Sequence, residues 1–322
     1  MPSEFELIRR FFTYPAPGAR LGVGDDAAIV RAGRGAELAI SADMLVSGRH
    51  FFADADPGLL GHKSLAVNLS DMAAMGAAPR WATLSIALPR VDARWLRAFM
   101  RGFMRLARRH GVDLVGGDTT RGPLTICVQI IGELPAGKAL RRDGARAGDD
   151  IWASGTLGAA ALALAAARGR IRLASGERRQ VEGRLHEPTP RVALGATLRG
   201  LARSAIDISD GLVADLGHIC ERSRVAAVVE FARLPAAPAL QRRLDHSAAR
   251  AALLAGGDDY ELCFTAACSR RDAIARVARR LRIRLTRIGT IVPRRGQNPV
   301  VSVTDAAGRP VLAERGGFDH FG

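Results

Sequence analysis

Lysine is almost missing from this chain. It occurs only at Lys63 and Lys138, so arginine supplies nearly all of a formal charge of +15. Aromatic residues are scarce as well, at 5%, and none interleaves with a basic run. That excludes the stacking platform of a single-strand binder, and the arginines read as solvated helix faces with no nucleic acid as partner. A basic surface of this kind still draws anionic small molecules from a distance. No apolar run approaches a bilayer span; the alanine-rich stretch Ala159–Ala167 is too short and reads as a buried helix, so no membrane partner is expected. The opening MPSEFELIRRFF carries acids early and no apolar stretch before a cleavage site, which predicts a cytoplasmic protein without a signal peptide. Cys127, Cys220, Cys263 and Cys268 form no C-x-x-C pair and are irregularly spaced. Reduced thiols are therefore expected rather than a disulfide framework or a zinc site.

What is present alternates between strand-like and helix-like segments. In the first half the pattern predicts strands at Glu37–Ala42, Trp81–Leu88, Val112–Val115 and Leu124–Leu134. Helices are predicted at Pro57–Met75, with Leu65, Leu69 and Met72 on its apolar line, and at Asp92–His110, with Trp95, Phe99, Phe103 and Leu106 inward. Around Pro135–Asp150 the composition turns to Gly, Arg and Asp, the expected domain boundary. Beyond it the pattern restarts with strand Asp150–Ala153, the alanine-rich helix, helix Arg191–Arg203, strand Ser204–Ile206 and helix Leu212–Ser223. Strands Val225–Phe231 and Tyr260–Thr265, helix Arg271–Leu281, and strands Leu285–Val292 and Val300–Thr304 complete it. Length and pattern predict two mixed α/β domains, 1–138 and 139–322.

In so basic a chain the acids gather in short clusters beside small residues. These are Gly24-Asp25-Asp26-Ala27, Ser41-Ala42-Asp43, Asn68-Leu69-Ser70-Asp71, Gly116-Gly117-Asp118, Asp207-Ile208-Ser209-Asp210-Gly211 and Gly256-Gly257-Asp258-Asp259. Asp43, Asp118 and Asp207 are predicted at strand ends, where mixed sheets bind ligands. Ser64, Asn68 and Asp71 share one helix face. Carboxylates without His or Cys suit a hard divalent cation, and magnesium usually shares its shell with substrate phosphates. Each cluster alone is equally the signature of a turn or a helix N-cap, Asp210-Gly211 before Leu212 above all. No Ser-His-Asp or His-Glu constellation accompanies them.

One nucleotide motif is deceptive. Gly132–Ala139 has the glycines and lysine of a phosphate loop, but Ala139 stands where a hydroxyl would hold magnesium and Pro135 removes a backbone donor. It reads as an interdomain loop.

Taken in order, GVGDDAA, AISADMLVSGRHF, KSLAVNLSDMAAMGA, GGDTTRGP, SAIDISDGL, GGDDYELCFT and GFDHF resemble the thiamine-monophosphate kinase family over nearly the whole chain. The resemblance implies an N-terminal metal- and ATP-binding domain whose sheet completes a barrel across a homodimer. It also implies a C-terminal α/β sandwich-like domain that closes the active-site cleft. The implied reaction is magnesium-assisted phosphorylation of thiamine monophosphate by ATP, with several magnesium ions and no catalytic base. Position by position, Asp26, Ser41, Asp43, Asp71, Asp118, Asp207 and Asp210 match magnesium ligands. Gly117, Asp118, Arg142 and Ser209 match nucleotide contacts, and His50, Asp258 and Phe318 match substrate contacts; Asp25 adjoins them in a supporting role. On residue type alone, His50 beside Phe51 and Phe52 also fits a packed histidine, Phe318 a core anchor and Arg142 a solvated loop residue.

The chain departs from the family pattern at Ala42, which has no hydroxyl where Thr is usual, and at Asp258, one methylene shorter than the usual Glu. Two alternatives stand beside this reading. One is a sibling ATP-dependent enzyme resembling aminoimidazole ribonucleotide synthetase. The other is a non-catalytic basic nucleic-acid-binding protein.

Overall fold

The computed structural model describes residues 4–23, 27–296 and 300–311. By internal contacts the chain divides into two units. One comprises Met1–Met72 with Ala77–Lys138; the other comprises Ala73–Gly76 with Ala139–Gly322.

The first unit contains α1 (Glu4–Leu7), β1 (Ala19–Leu21), β2 (Ile29–Val30), β3 (Ala36–Val46), α2 (Pro57–Met75, whose end falls in the second unit), β4 (Ala78–Leu88), α3 (Ala93–His110), β5 (Asp113–Arg121) and β6 (Thr125–Pro135). Strands β3 to β6 form one sheet in the order β3-β6-β4-β5, parallel only between β4 and β5. Helix α3 starts where the Asp92 carboxylate accepts from the N–H groups of Arg94 and Trp95, and stops at Gly111 in the left-handed conformation. Its apolar line buries Leu96, Phe99, Met100 and Phe103, and the Trp95 and Phe99 rings stack at 5.2 Å. Helices α2 and α3 meet backbone to backbone. A Cβ on Gly61 would lie 2.0 Å from the Phe99 carbonyl oxygen, and one on Gly102 would lie 1.9 Å from that of Gly58. Only glycine permits that crossing.

The second unit contains β7 (Asp150–Ser154), α4 (Ala159–Ala167), α5 (Ser175–His186), α6 (Val192–Leu198), β8 (Ser204–Ile208), α7 (Leu212–Ser223), β9 (Val225–Glu230), α8 (Pro238–Gln241), α9 (Ser247–Ala255), β10 (Glu261–Ala266), α10 (Arg271–Leu281), β11 (Leu285–Pro293) and β12 (Val301–Thr304). Its six strands run β12-β9-β11-β7-β10-β8, antiparallel except for β12 on β9. Helices cover both faces. Ile151, Ala153 and Cys263 pack with α4, α7 and α9 on one side, and Phe264, Leu262 and Trp152 pack with α6 and α10 on the other. Three acids are buried in this unit with arginine partners. Glu261 takes Arg184, Arg191 and the Ser154 hydroxyl, Asp150 takes Arg271 and Arg287, and Asp149 takes Arg203. Such pairs hold geometry more than they add stability, and stripping the partners from one costs about 3–5 kcal/mol.

All four cysteines are free, as expected, and burial pushes the Cys220 thiol up to about 12. The architecture is mixed α/β in two units. The first-unit sheet is open, so the barrel expected across a dimer is not closed by this chain itself. Among the described residues no helix is long and apolar enough to cross a membrane.

Candidate active site

In the first unit the candidates lie on β3, α2 and β5. Odd-numbered residues of β3 face inward, where the Ser41 hydroxyl donates to Asp71 Oδ2 of α2 at 2.5 Å. Strand alternation turns Ala42 to the other, exposed face, away from Ser41 and Asp43. Ser64 and Asn68, expected as a polar stripe beside the apolar one, are wholly buried. The Ser64 hydroxyl donates to the Gly61 carbonyl and Asn68 Nδ2 to the Ser64 carbonyl. Asn68 Oδ1 has no hydrogen-bond partner among the described residues, one turn before Asp71.

Asp43 and Asp118 are not at strand ends. Both lie inside strands longer than the hydrophobic pattern indicated: β3 runs on past Asp43 through Met44, Leu45 and Val46, and the polar second half of β5 is held by its ladder with β4. The register also separates them. Asp118 pairs with Ser85, which pairs with Cys127, which pairs with Met44; Asp43 pairs instead with Val128. Asp118 therefore shares the Met44 face, Asp43 the opposite one. Three strand spacings across the sheet amount to about 14 Å. At Gly117, φ is 152° and a Cβ would lie 1.9 Å from the Leu84 carbonyl oxygen, so β5 approaches β4 there only as glycine. The Asp118 carboxylate accepts from the Thr119 N–H at 2.9 Å. His50 is half-buried, and its Nδ1 accepts from the Val46 N–H at 2.9 Å.

In the second unit two turns interlock where β8 ends and β10 begins. Asp207 is the penultimate residue of β8, Ser209 and Asp210 follow it, and Gly211 begins α7 at φ 121°. The neighbouring turn holds Asp258 and Tyr260 at positive φ, 68° and 49°. Strain of this kind in non-glycine residues clusters at functional sites. The Asp258 N–H donates to the Ser209 carbonyl at 2.9 Å, the Tyr260 N–H to the Ile208 carbonyl at 2.8 Å, and the Tyr260 hydroxyl to Asp258 Oδ1 at 2.9 Å. A Cβ on Gly257 would lie 2.4 Å from the Ser209 oxygen. Arg142 is exposed, and its carbonyl accepts from the Ser223 hydroxyl.

Of the Asp210-Gly211 pair read as an N-cap candidate, Gly211 holds the N-cap position of α7, and no side chain caps there. The donors are taken by a residue the motifs did not single out. Asp215 Oδ2 accepts from the N–H groups of Ser209, Asp210 and Gly211 at 3.0, 3.1 and 3.0 Å. Burial first, then the charges of Asp207 and Asp210, push Asp215 up to about 7. Asp259, the last residue of the Gly256–Asp259 cluster, carried no role of its own in the sequence reading. It is buried, one oxygen accepts from the Gly158 N–H at 2.8 Å, the other has no partner among the described residues, and burial above all pushes it up to about 8. The one available signal for both was an aspartate placed close to a Gly-Asp turn.

Asp25, Asp26 and Phe318 lie outside the described residues. Among those described, no group of three or more His, Cys, Asp or Glu side chains is gathered closely enough to hold a metal ion. What the first unit offers is oxygen: the Ser41–Asp71 pair and the unpartnered Asn68 Oδ1. An all-oxygen set fits magnesium completed by water and phosphate better than zinc or copper.

Residues 24–134 match the model of the AIR synthase related protein, N-terminal domain, and residues 146–302 that of its C-terminal domain. The thiamine-monophosphate kinase of Escherichia coli (strain K12) is 42% identical over 322 residues, covering 99% of this chain and 98% of that protein. The crystal structure of thiamine-monophosphate kinase from Stenotrophomonas maltophilia K279a superposes with a TM-score of 0.85 at 48% identity, covering 94% of this chain and 96% of that one. A solved structure described as AaThiL complexed with AMPPCP and TMP gives a TM-score of 0.77 at 29% identity, covering 98% and 96%. From both domain matches and full-length kinship, the chain belongs to the AIR synthase related proteins and, among them, to the thiamine-monophosphate kinase family.

Proposed function

We propose that this chain transfers the terminal phosphoryl group of ATP to the phosphate of thiamine monophosphate, giving ADP and thiamine diphosphate. The observation that carries the reading is kinship over the whole length with kinases of that name, one of them solved with an ATP analogue and TMP. A phosphate oxygen of the acceptor forms a bond to the γ-phosphorus while the bond from that phosphorus to the β–γ bridging oxygen breaks. A phosphate monoester loses its second proton near pH 6, so at neutral pH the acceptor is already an anionic nucleophile. No side chain need remove a proton, which agrees with a candidate set that offers carboxylates and no histidine–carboxylate pair.

The work left to the protein is to hold two anions in line. Ser41, Asp43, Asp71 and Asp118, with Asp26, Asp207 and Asp210, are the residues suited to hold magnesium, which when bound supplies charge neutralisation between the phosphates. Ser41 orients the Asp71 carboxylate by hydrogen bond, and Ser209, Gly117 and Arg142 are proposed nucleotide contacts. Asp258 and His50, with Phe318, are proposed for the acceptor. Tyr260 and the Ser209 carbonyl fix Asp258 although its side chain is short.

A homodimer belongs to the same reading, with the open four-stranded sheet meeting its copy to complete a barrel. It is supported by an edge strand, β3, that leaves Leu38, Ile40 and Met44 exposed by 42%, 60% and 57%. It is supported again by Asp43 and Asp118, about 14 Å apart along the sheet and on opposite faces, too far to share an ion within one chain.

The test is ADP release with saturating ATP and magnesium, comparing thiamine monophosphate with thiamine and with an aminoimidazole ribonucleotide precursor. Turnover dependent on thiamine monophosphate alone is expected; its absence would sink the assignment.

A further inference from the structure

The turn between β8 and α7 carries Asp207, Ser209 and Asp210, and its backbone is held from within. Asp215, in the first turn of α7, is buried, and one of its oxygens accepts from three successive N–H groups, those of Ser209, Asp210 and Gly211. Three convergent N–H groups in the turn that leads into a 12-residue helix form a nest of the kind that captures anions. Here the chain's own carboxylate fills it. Gly211 closes the arrangement from the other side, since its φ of 121° and the Ala255 backbone, 2.6 Å from where a Cβ would be, leave room for glycine only.

We propose that Asp215 is a positioning residue for the nucleotide half of the reaction, an inference that rests on the kinase reading above. It fixes the backbone of Ser209–Gly211 so that Asp207, Ser209 and Asp210 hold their places, and it keeps the amides of that turn closed to direct phosphate binding. Anionic phosphates then engage this turn through a cation rather than through those amides. A purely helix-stabilising role would require only an acid in the first turn, not a single oxygen placed under all three donors. The effect extends to the acceptor side, because the Asp258 N–H hangs on the Ser209 carbonyl.

The experiment compares the full-length wild type with Asp215→Asn and Asp215→Ala. It reads affinity for AMPPCP with magnesium by calorimetry and the magnesium dependence of turnover. Asparagine keeps an acceptor oxygen and is expected to remain within about threefold of wild type, whereas alanine leaves three donors open and weakens affinity about tenfold or more. Half-maximal turnover of the alanine variant should likewise need about tenfold more magnesium. Amide hydrogen exchange on the ligand-free wild type provides a readout that needs no variant to fold: Ser209, Asp210 and Gly211 should exchange slowly although they lie in a turn. The inference is overturned by fast exchange at those amides, by an alanine variant with wild-type affinity, or by an asparagine variant as impaired as alanine. A wild type that binds AMPPCP and protects these amides but makes no ADP with thiamine monophosphate would instead overturn the kinase reading alone.

Discussion

Asp259 shows how much one carboxyl in this fold depends on being uncharged. Its value is pushed up to about 8 by burial, with the Gly158 N–H opposing and Glu261 adding to the rise. In an unfolded chain it would titrate near 3.9. A raised acid favours folding while protonated, so its contribution is complete below about pH 4 and is lost as pH climbs through about 8. The melting temperature of the wild type should therefore fall between about pH 4 and 8 more steeply than that of Asp259→Asn, which cannot ionise, and the two should run parallel above about pH 8. Curves parallel throughout would show that Asp259 is not held neutral. Asp71 is ordered by the Ser41 hydroxyl at 2.5 Å. Asp71→Asn keeps the shape of the side chain and should lower turnover by about a hundredfold or more with a melting temperature little changed; near-normal turnover would remove Asp71 from the proposed ligand set. Such residues differ in how readable they were. Asp207, Asp210 and Asp258 announced themselves by Gly-Asp density. Asp215 did not, because its role comes from which amides the folded chain returns to it, and a helix-start aspartate reads the same with or without that duty.

At the level of elements, α2, α3, α7 and α10 were legible from apolar pattern, as were most strands, and α4 from its alanine-rich composition. The misses have physical causes. Helix α5 buries only Val181 and Leu185 and is otherwise charged, so no apolar stripe marked it. Strand β5 runs past its apolar stretch because a ladder partner, not hydrophobicity, extends it, whereas in β3 a single acid, Asp43, interrupts an apolar run that continues through Met44, Leu45 and Val46. Neither register nor face can be read from an aspartate's neighbours, which is why Asp43 and Asp118 looked equivalent and are not. Glycines separate the two kinds of helix contact. Gly61 of α2 touches the α3 backbone, so Gly61→Ala should cost about 1–3 kcal/mol in urea unfolding and displace the helix that carries Asp71. Gly183 of α5 faces open space, and Gly183→Ala should instead stabilise by about 0.5–1 kcal/mol. If both changes destabilise alike, close backbone approach is not what selects glycine at position 61.

For the whole molecule the exposed apolar face of the edge strand β3 decides the assembly. Isolated exposed apolar side chains need no explanation, but Leu38, Ile40 and Met44 alternate along one face of a strand with a free edge. Within a lone chain, Ile40→Glu changes a side chain already 60% exposed, and such a substitution shifts stability by only about 0.5 kcal/mol. Across a two-fold interface the same change appears twice and places two carboxylates in an apolar contact, at a cost far beyond that figure. Sedimentation should show the wild type as a dimer at micromolar concentration and Ile40→Glu as a folded monomer, with a cooperative melt lowered only by what association contributed. Turnover of the variant should fall with dissociation and recover in part as protein concentration rises, because Asp43 and Asp118 cannot serve one ion from a single chain. A variant that sediments as wild type and keeps its turnover would show that this face is not the interface. A monomeric variant with full activity would show instead that each chain's carboxylates work without a partner, and the separation of Asp43 from Asp118 would then mean two independent ligand positions.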